Sequence, residues 1–169
     1  MYLDVLKAVE GERYGFSFEE QPFADIYEGR DITPVGTLKV KGGYFVDKGR
    51  VFVDFYEEVT VEAKCDRCLT AITTTHSAED EIVFSKAPED GEYLYENYTV
   101  PLDKALREAL SLTLPSYYLC KDDCKGLCPV CGKDKNKNQC SCEDNRRSAA
   151  NPFAVLQNIG GKEDGSTEG

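Results

Sequence analysis

The 169-residue sequence predicts an α+β protein: mainly an antiparallel β-sheet, partly barrel-like, with one principal amphipathic helix and a C-terminal cysteine-rich segment. Three observations lead to this class. Residues 34–85 are rich in β-branched and aromatic residues, which favour strands. Residues 102–114 carry apolar residues at helical spacing. Six of the eight cysteines fall in residues 120–142, where no apolar periodicity is present.

The predicted strands begin near the N-terminus and dominate the first half of the chain. Alternating phenylalanines predict a strand over residues 13–19, and another is expected over residues 1–9. Further along, Gly42-Gly43 interrupts a β pattern that resumes directly afterwards. This arrangement predicts a tight hairpin turn at the two glycines.

A C-x-x-C motif, Cys65-Asp66-Arg67-Cys68, lies between two stretches of β pattern. Residues 51–63 precede the motif and residues 69–84 follow it. Two strand-like stretches joined by a short polar segment are typical of a hairpin. We therefore expect both cysteines at the tip of a β-hairpin.

The principal helix is predicted over residues 102–114. Leu102, Leu106 and Leu110 recur at four-residue spacing, which gives the helix one apolar face. Pro115 ends the pattern. We expect this helix to cover one face of the sheet.

Charge is unevenly distributed along the chain. The net charge is −11; residues 1–120 carry 12 basic and 23 acidic residues, whereas residues 121–147 carry 7 basic and 5 acidic residues. The acidic part is expected to repel a nucleic-acid backbone, so RNA contact should come from the cysteine-rich part or through a partner protein. The chain lacks a membrane-length apolar run and a secretion signal, which predicts a cytoplasmic protein with no membrane partner.

The spacing of the eight cysteines favours metal over disulfides or redox chemistry. Close C-x-x-C pairs in a chain without a secretion signal are typical of metal sites, and thiolates are strong ligands of tetrahedral zinc. We expect one or two structural zinc ions, with iron as the alternative. The candidate metal ligands are Cys65, Cys68, Cys120, Cys124, Cys128, Cys131, Cys140 and Cys142.

Spacing alone leaves the grouping of these cysteines open. The four at positions 128–142 form the strongest local set, in which Gly132 can adopt the positive φ that such knuckles often need. The other four would then share a second metal and tie the hairpin to the segment after the helix. Alternatively, the hairpin pair meets Cys128 and Cys131, which leaves one site with other partners.

These patterns divide the chain into three predicted parts. They are an antiparallel β domain with its covering helix (1–119), a zinc-binding segment joined to the 65–68 knuckle (120–142), and a linker, short terminal helix (152–159) and disordered tail within residues 143–169.

Five lysines flank the cysteines and either balance thiolate charge or contact phosphate: Lys121, Lys125, Lys133, Lys135 and Lys137. Neither catalysis nor a small-molecule substrate is expected. The lone histidine, His76, lies in a threonine-rich strand, and no Gly-rich phosphate loop, nucleophile elbow or H-E-x-x-H motif is present. Closed sets of four thiolates would also leave no open position on a metal.

Three motifs, in this order, resemble the YceD family, also described as domain of unknown function 177 and as large ribosomal RNA subunit accumulation protein. They are Cys65-Asp66-Arg67-Cys68-Leu69, a helix with Leu106-Arg107-Glu108-Ala109-Leu110 and Leu114-Pro115, and the C-x3-C-x3-C-P-V-C-G pattern from Cys120 to Gly132. Together the motifs cover roughly residues 34–142. Residues 151–156 also resemble a family ending.

The resemblance implies a bacterial or plastid protein needed for accumulation or maturation of large-subunit (23S) ribosomal RNA and for ribosome assembly. It brings no catalytic residue, and some family members lack several of the cysteines, so the metal is expected to be a scaffold. One function is a non-catalytic factor that binds a large-subunit rRNA precursor or a basic ribosomal protein. The alternative is a metal-stabilised protein-interaction module that acts indirectly on ribosomal protein or rRNA expression. A redox or electron-transfer protein is the third.

Overall fold

The computed structural model describes residues 1–142, so the terminal helix and tail predicted within residues 143–169 lie outside the described residues. The chain divides into two compact units, Met1–Cys124 and a second that begins at Lys125. Within the described part of the chain, no helix is long and apolar enough to cross a membrane.

The first unit is built from β-strands and one α-helix. Strands β2 to β6 form one five-stranded sheet in sequence order, and β1 pairs with β7 in a small second sheet. The elements are β1 (Tyr2–Asp4), β2 (Arg13–Glu20), a 3-10 helix (Ala24–Tyr27), β3 (Ile32–Asp47), β4 (Arg50–Lys64), β5 (Ala71–Ser85), β6 (Tyr93–Leu94), β7 (Thr99–Pro101) and α1 (Asp103–Thr113).

The predicted sheet-dominated class with one principal helix is confirmed, but the sheet is mixed and open. Neighbouring strands are antiparallel from β2 to β5, whereas β5 and β6 run parallel. Strands β2 and β6 end the order and do not pair with each other, so the expected partly barrel-like form does not close into a barrel.

The turn predicted at Gly42-Gly43 is wrong, because both glycines lie inside strand β3. The strand continues to Asp47 before the chain turns back into β4. A Cβ atom added at Gly42 would overlap the carbonyl oxygen of Asp54 and lie 2.8 Å from the ring of Phe16. Glycine is present because the backbones of β3 and β4 approach too closely here for any side chain.

The hairpin predicted around the C-x-x-C motif is confirmed. Strands β4 and β5 pair from Val51 opposite Phe84 to Lys64 opposite Ala71, which leaves Cys65 and Cys68 in the turn. Helix α1 buries Ala105, Leu106, Ala109 and Leu110 and contacts β5.

One position in the core row of β4 carries a carboxyl group. Alternate residues from Val51 to Ala63 are buried, and Glu57 lies in the middle of this row with no exposed surface. Within residues 1–142, neither carboxyl oxygen has a hydrogen-bond partner. Burial raises the pKa of Glu57 to about 8, and the backbone of Leu110 only partly opposes this shift. Burial, with Glu57 nearby, also raises the pKa of Tyr27 to about 12.

The close approach at Gly42 predicts that Gly42→Ala destabilises the protein by about 3 kcal/mol, since an overpacked site must push two backbones apart. Urea unfolding of the full chain measures this. Gly15→Ala is the matched control, because its added Cβ would lie 3.8 Å from the nearest atom, the Gly42 carbonyl oxygen. Equal losses of stability in the two variants would show that the close approach of β3 and β4 is not the reason for glycine at position 42.

The buried carboxyl predicts a pH-dependent stability that Glu57→Gln removes. Between pH 4.5 and about 8 the folded state holds a proton that the unfolded state has released, so stability falls as the pH rises through this window. Relative to the wild type, the variant's free energy of unfolding should be several kcal/mol higher above pH 8 than at pH 5, since one pKa unit corresponds to about 1.4 kcal/mol.

Chemical denaturation of both proteins across this pH range checks the expectation. Glu58→Gln is the control, because Glu58 is the next residue and lies on the opposite face of β4. A difference between Glu57→Gln and wild type that stays constant with pH would contradict a buried, protonated carboxyl.

Candidate metal centres

The tip of the β4–β5 hairpin is a knuckle shaped by backbone hydrogen bonds. The amide of Leu69 donates to the carbonyl of Cys65 at 2.8 Å, and the amide of Cys65 donates to the carbonyl of Thr70 at 2.9 Å. Leu69 adopts a φ of +59°, a region that non-glycine residues seldom occupy. The turn thus accepts local backbone strain while it brings Cys65 and Cys68 close together.

The two residues between the knuckle cysteines attach it to the segment after α1. The amide of Asp66 donates to the carbonyl of Tyr118 at 2.9 Å, and the amide of Tyr118 donates to Asp66 Oδ2 at 2.5 Å. Arg67 Nη1 donates to the carbonyl of Cys124 at 3.1 Å. Neither Asp66 nor Arg67 stood out in the sequence, although opposite charges inside a C-x-x-C motif were an available signal.

These contacts bring four sulfurs into one cluster, formed by Cys65, Cys68, Cys120 and Cys124. All four sulfurs lie within 4.8 Å of one another. The sulfurs of Cys65 and Cys124 are 3.8 Å apart, and those of Cys68 and Cys120 are 3.6 Å apart. A tetrahedron with Zn–S bonds of about 2.3 Å has sulfur–sulfur edges of about 3.8 Å, whereas a disulfide requires about 2.05 Å. The spacing therefore fits a four-thiolate metal site.

The backbone around this first cluster favours a thiolate at one of its cysteines. Burial alone would raise the pKa of Cys65, but backbone amides of Cys120, Arg67 and Cys68 outweigh it and lower the pKa to about 6. Burial and its sulfur neighbours raise the pKa of Cys120 to about 12. Four crowded sulfurs do not ionise together without a cation, so the cluster has the electrostatics of a metal site.

The second unit repeats the knuckle geometry at Cys128 and Cys131. The amide of Gly132 donates to the carbonyl of Cys128 at 2.9 Å, and Gly132 has the positive φ, +69°, that the sequence predicted. The sulfurs of Cys128, Cys131, Cys140 and Cys142 all lie within 4.8 Å of one another. Backbone amides of Cys131 and Val130 lower the pKa of Cys128 to about 6.

Side chains in the loop between the second cluster's cysteine pairs order its backbone. Asn136 Oδ1 accepts a hydrogen bond from the amide of Lys125 at 2.9 Å. Asp134 Oδ1 accepts from the amide of Asn136 at 2.9 Å and from its Nδ2 at 2.8 Å. Polar contacts therefore order this loop and join it to the chain before Cys128.

The structure thus groups the eight cysteines as two sets of four, and all eight are free of disulfides. This is the grouping in which the hairpin pair meets Cys120 and Cys124. The alternative, in which the hairpin pair meets Cys128 and Cys131, is not found.

The five lysines proposed for RNA contact fall into different environments. Lys121 belongs to the first unit and lies 3.5 Å from Asp123. Lys137, in the second unit, lies 3.8 Å from Asp134. Lys125 and Lys133 are exposed, Lys135 is half-buried, and none of these three forms a salt bridge among the described residues.

The lone histidine packs inside the first unit. His76 lies edge-on to the ring of Tyr118, with ring centroids 5.7 Å apart. Its Nε2 is buried without a hydrogen-bond partner among residues 1–142, and burial lowers its pKa. It does not belong to either cysteine cluster.

Comparison with known proteins connects these features to one family. The model described as large ribosomal RNA subunit accumulation protein YceD matches residues 53–160, which is more than half of the chain. Uncharacterized proteins of Mycobacterium bovis and Mycobacterium tuberculosis are 31% identical over 77 residues, which cover 41% of this chain and 37% of theirs. No solved structure matches significantly. The resemblance inferred from the cysteine motifs and the helix is confirmed, and the chain belongs to the YceD family.

Proposed function

We propose that this protein is a non-catalytic factor that acts by binding in the accumulation or maturation of large-subunit ribosomal RNA and in ribosome assembly. The family description supports the link to large-subunit ribosomal RNA. The two four-sulfur clusters support a binding protein whose shape depends on metal. It would act in the bacterial cytoplasm, where ribosomes are assembled.

The proposed cofactor is zinc, one ion in each cluster. The ligands would be Cys65, Cys68, Cys120 and Cys124 in the first cluster, and Cys128, Cys131, Cys140 and Cys142 in the second. Four protein thiolates complete a tetrahedral shell, so each ion would cross-link the chain and leave no position for a substrate. The sulfur spacing in the first cluster supports this role.

The proposed RNA contact lies in the second unit. Residues 125–142 carry four lysines and a single acidic residue, whereas the remainder of the described chain is acidic. Lysines on a short loop braced at both ends lose little conformational freedom when they meet phosphate. Lys125, Lys133 and Lys135 are the strongest candidates, because no carboxylate within the described residues pairs with them.

The division of the chain is also a proposal. The β domain of residues 1–119 would fold on its own apolar core, and the segment of residues 120–142 would depend on metal. The second unit supports the latter part, since none of the core cluster's side chains lies beyond residue 118.

A second candidate function is a metal-stabilised protein-interaction module that affects rRNA indirectly. The acidity of the first 120 residues favours it, since such a surface attracts basic proteins and repels RNA. Under this alternative, the lysines balance thiolate charge only.

Metal analysis of protein purified under reducing conditions should find close to two zinc ions per chain. Cys128→Ser should remove one ion and unfold the second unit, because binding of structural zinc supplies roughly 10 kcal/mol or more of folding energy. Amide NMR spectra of this variant should retain the β-sheet signals. Ser141→Ala, which changes a non-ligand between Cys140 and Cys142, is the control. A metal-free wild type, or iron in place of zinc, would overturn the zinc proposal.

Changing Lys125, Lys133 and Lys135 to Glu should weaken binding of a large-subunit rRNA precursor at least tenfold and flatten its salt dependence. The matched control changes Lys7, Lys39 and Lys104, three exposed lysines of the first unit, to Glu. Filter binding at two salt concentrations, with zinc content measured in each variant, checks this. Equal RNA affinity of the wild type and the second-unit variant, with zinc retained, would contradict direct RNA contact and favour the alternative function.

A further inference from the structure

The side of the five-stranded sheet that faces away from the core carries a concentrated set of acidic residues. Side chains along β4 alternate between buried positions and positions that are half-buried or exposed, whereas residues 79–81 of β5 are all exposed. On this face, Asp54, Tyr56 and Glu58 of β4 are half-buried, and Glu79 and Glu81 of β5 are exposed.

Strand register places two of these carboxylates directly opposite each other. Asp54 faces Glu81, and Tyr56 faces Glu79. Like charges in opposed positions destabilise a sheet. Arg13 pairs with Asp54, but among residues 1–142 no cation pairs with Glu79 or Glu81. Arg13 therefore offsets the repulsion at Asp54 only in part, and Glu79 and Glu81 have no such partner within residues 1–142.

Aromatic rings lie beside these carboxylates in two adjoining depressions. One, of about 1180 Å³, is lined by Tyr56 and Glu79, and the other, of about 460 Å³, by Phe45 and Phe52. Asp54 and Glu81 line both depressions. The two phenylalanine rings stack with centroids 4.8 Å apart, and Lys41 Nζ lies 5.0 Å from the centroid of the Tyr56 ring. The surface therefore already accepts one cation over an aromatic face.

We propose that this acidic sheet face, formed by Phe45, Phe52, Asp54, Tyr56, Glu79 and Glu81, docks an extended, arginine-rich segment of a partner protein. Its charge is complementary to a cationic chain and repels a nucleic-acid backbone. A guanidinium group suits it better than an ammonium group, because the planar fork stacks on aromatic rings while it pairs with a carboxylate.

The spacing of the acidic residues matches an extended segment. Glu79 and Glu81 are alternate residues of one strand, so they lie about 7 Å apart, as do alternate side chains of an extended peptide. Arginines at every second position would therefore meet both carboxylates. This interaction goes beyond the proposed RNA contact and does not depend on the lysines of the second unit.

Fluorescence anisotropy with the zinc-loaded full chain tests the proposal. The probe is a labelled dodecapeptide with arginine at alternate positions separated by serine, and the same peptide with glutamate for arginine is the negative probe. We expect the arginine peptide to bind and the glutamate peptide not to bind. The double variant Glu79→Lys, Glu81→Lys should bind at least about tenfold more weakly, a loss of about 1.4 kcal/mol.

Two further variants separate this site from general charge attraction. Glu28→Lys with Glu96→Lys makes the same change in net charge at exposed residues outside the face, and its affinity should stay within about twofold of wild type. Tyr56→Ser keeps the charge and removes the ring, and it should weaken binding several-fold. Thermal stability of the Glu79→Lys, Glu81→Lys variant should equal or exceed that of wild type, since the opposed like charges are removed.

Several outcomes would overturn the proposal. These are no binding of the arginine peptide by wild type, or equal losses in the two charge-reversal variants. Tighter binding by the Arg146→Ala, Arg147→Ala variant would show that the chain's own C-terminal segment occupies the face. A wild-type dimer that the Glu79→Lys, Glu81→Lys variant converts to a monomer would show that a second copy does. In every case the rRNA affinity of the second-unit lysine variant is an independent readout.

Discussion

The hydrogen bonds from Asp66 and Arg67 to the chain after α1 are the contacts on which the first unit most depends. They join the tip of the β4–β5 hairpin to a segment about fifty residues later in the sequence, and the four sulfurs meet at this junction. Strand register on one side and helix position on the other must both be correct for this meeting. Formation of this cluster therefore requires that the whole β domain is folded, and not only the loop that carries the cysteines.

The sequence of β4 shows how one strand serves opposite environments. Glu57 and Glu58 are neighbours, yet Glu57 is fully buried while Glu58 lies on the solvent side of the strand. Strand pleating alone separates them. Burial raises the pKa of Glu57 to about 8, so this carboxyl is neutral near pH 7. The acidic residues of β4 therefore lie in two different environments, and the amino-acid composition alone does not distinguish them.

Much of the fold followed from local patterns, and the exceptions share a cause. The hairpin around Cys65 and Cys68 and the helix α1 were predictable because periodicity and a proline mark them. Gly42-Gly43 was misread as a turn, because a tight turn and a close approach between two strands both require glycine. Only the folded structure shows that Gly42 lies against the carbonyl of Asp54. Likewise, a barrel and an open sheet share strand patterns and differ only in whether the outer strands pair.

The candidate sites show the same limit. Spacing identified all eight cysteines but left their grouping open, because grouping depends on which loop reaches the hairpin tip. Asp66 was missed because its role depends on a partner that is distant in sequence. Glu57 was missed because its burial depends on which face of the strand it occupies. The alternation of side chains along a strand was a usable signal, because Glu57 falls between Phe55 and Val59 in the row of alternate apolar residues.

The cysteines of the first cluster are much farther apart in the sequence than those of the second, and this difference affects the order of folding. The second cluster draws its ligands from fifteen consecutive residues, so a short loop closure brings them together at small entropic cost. The first cluster must bring Cys65 to Cys120 across three intervening strands, β5 to β7, and helix α1, and contacts so distant in sequence form late. With metal in both clusters, as proposed, a newly made chain would therefore bind metal at its C-terminal knuckle while the sheet is still unformed. Metal binding at the hairpin would then come at the end of folding.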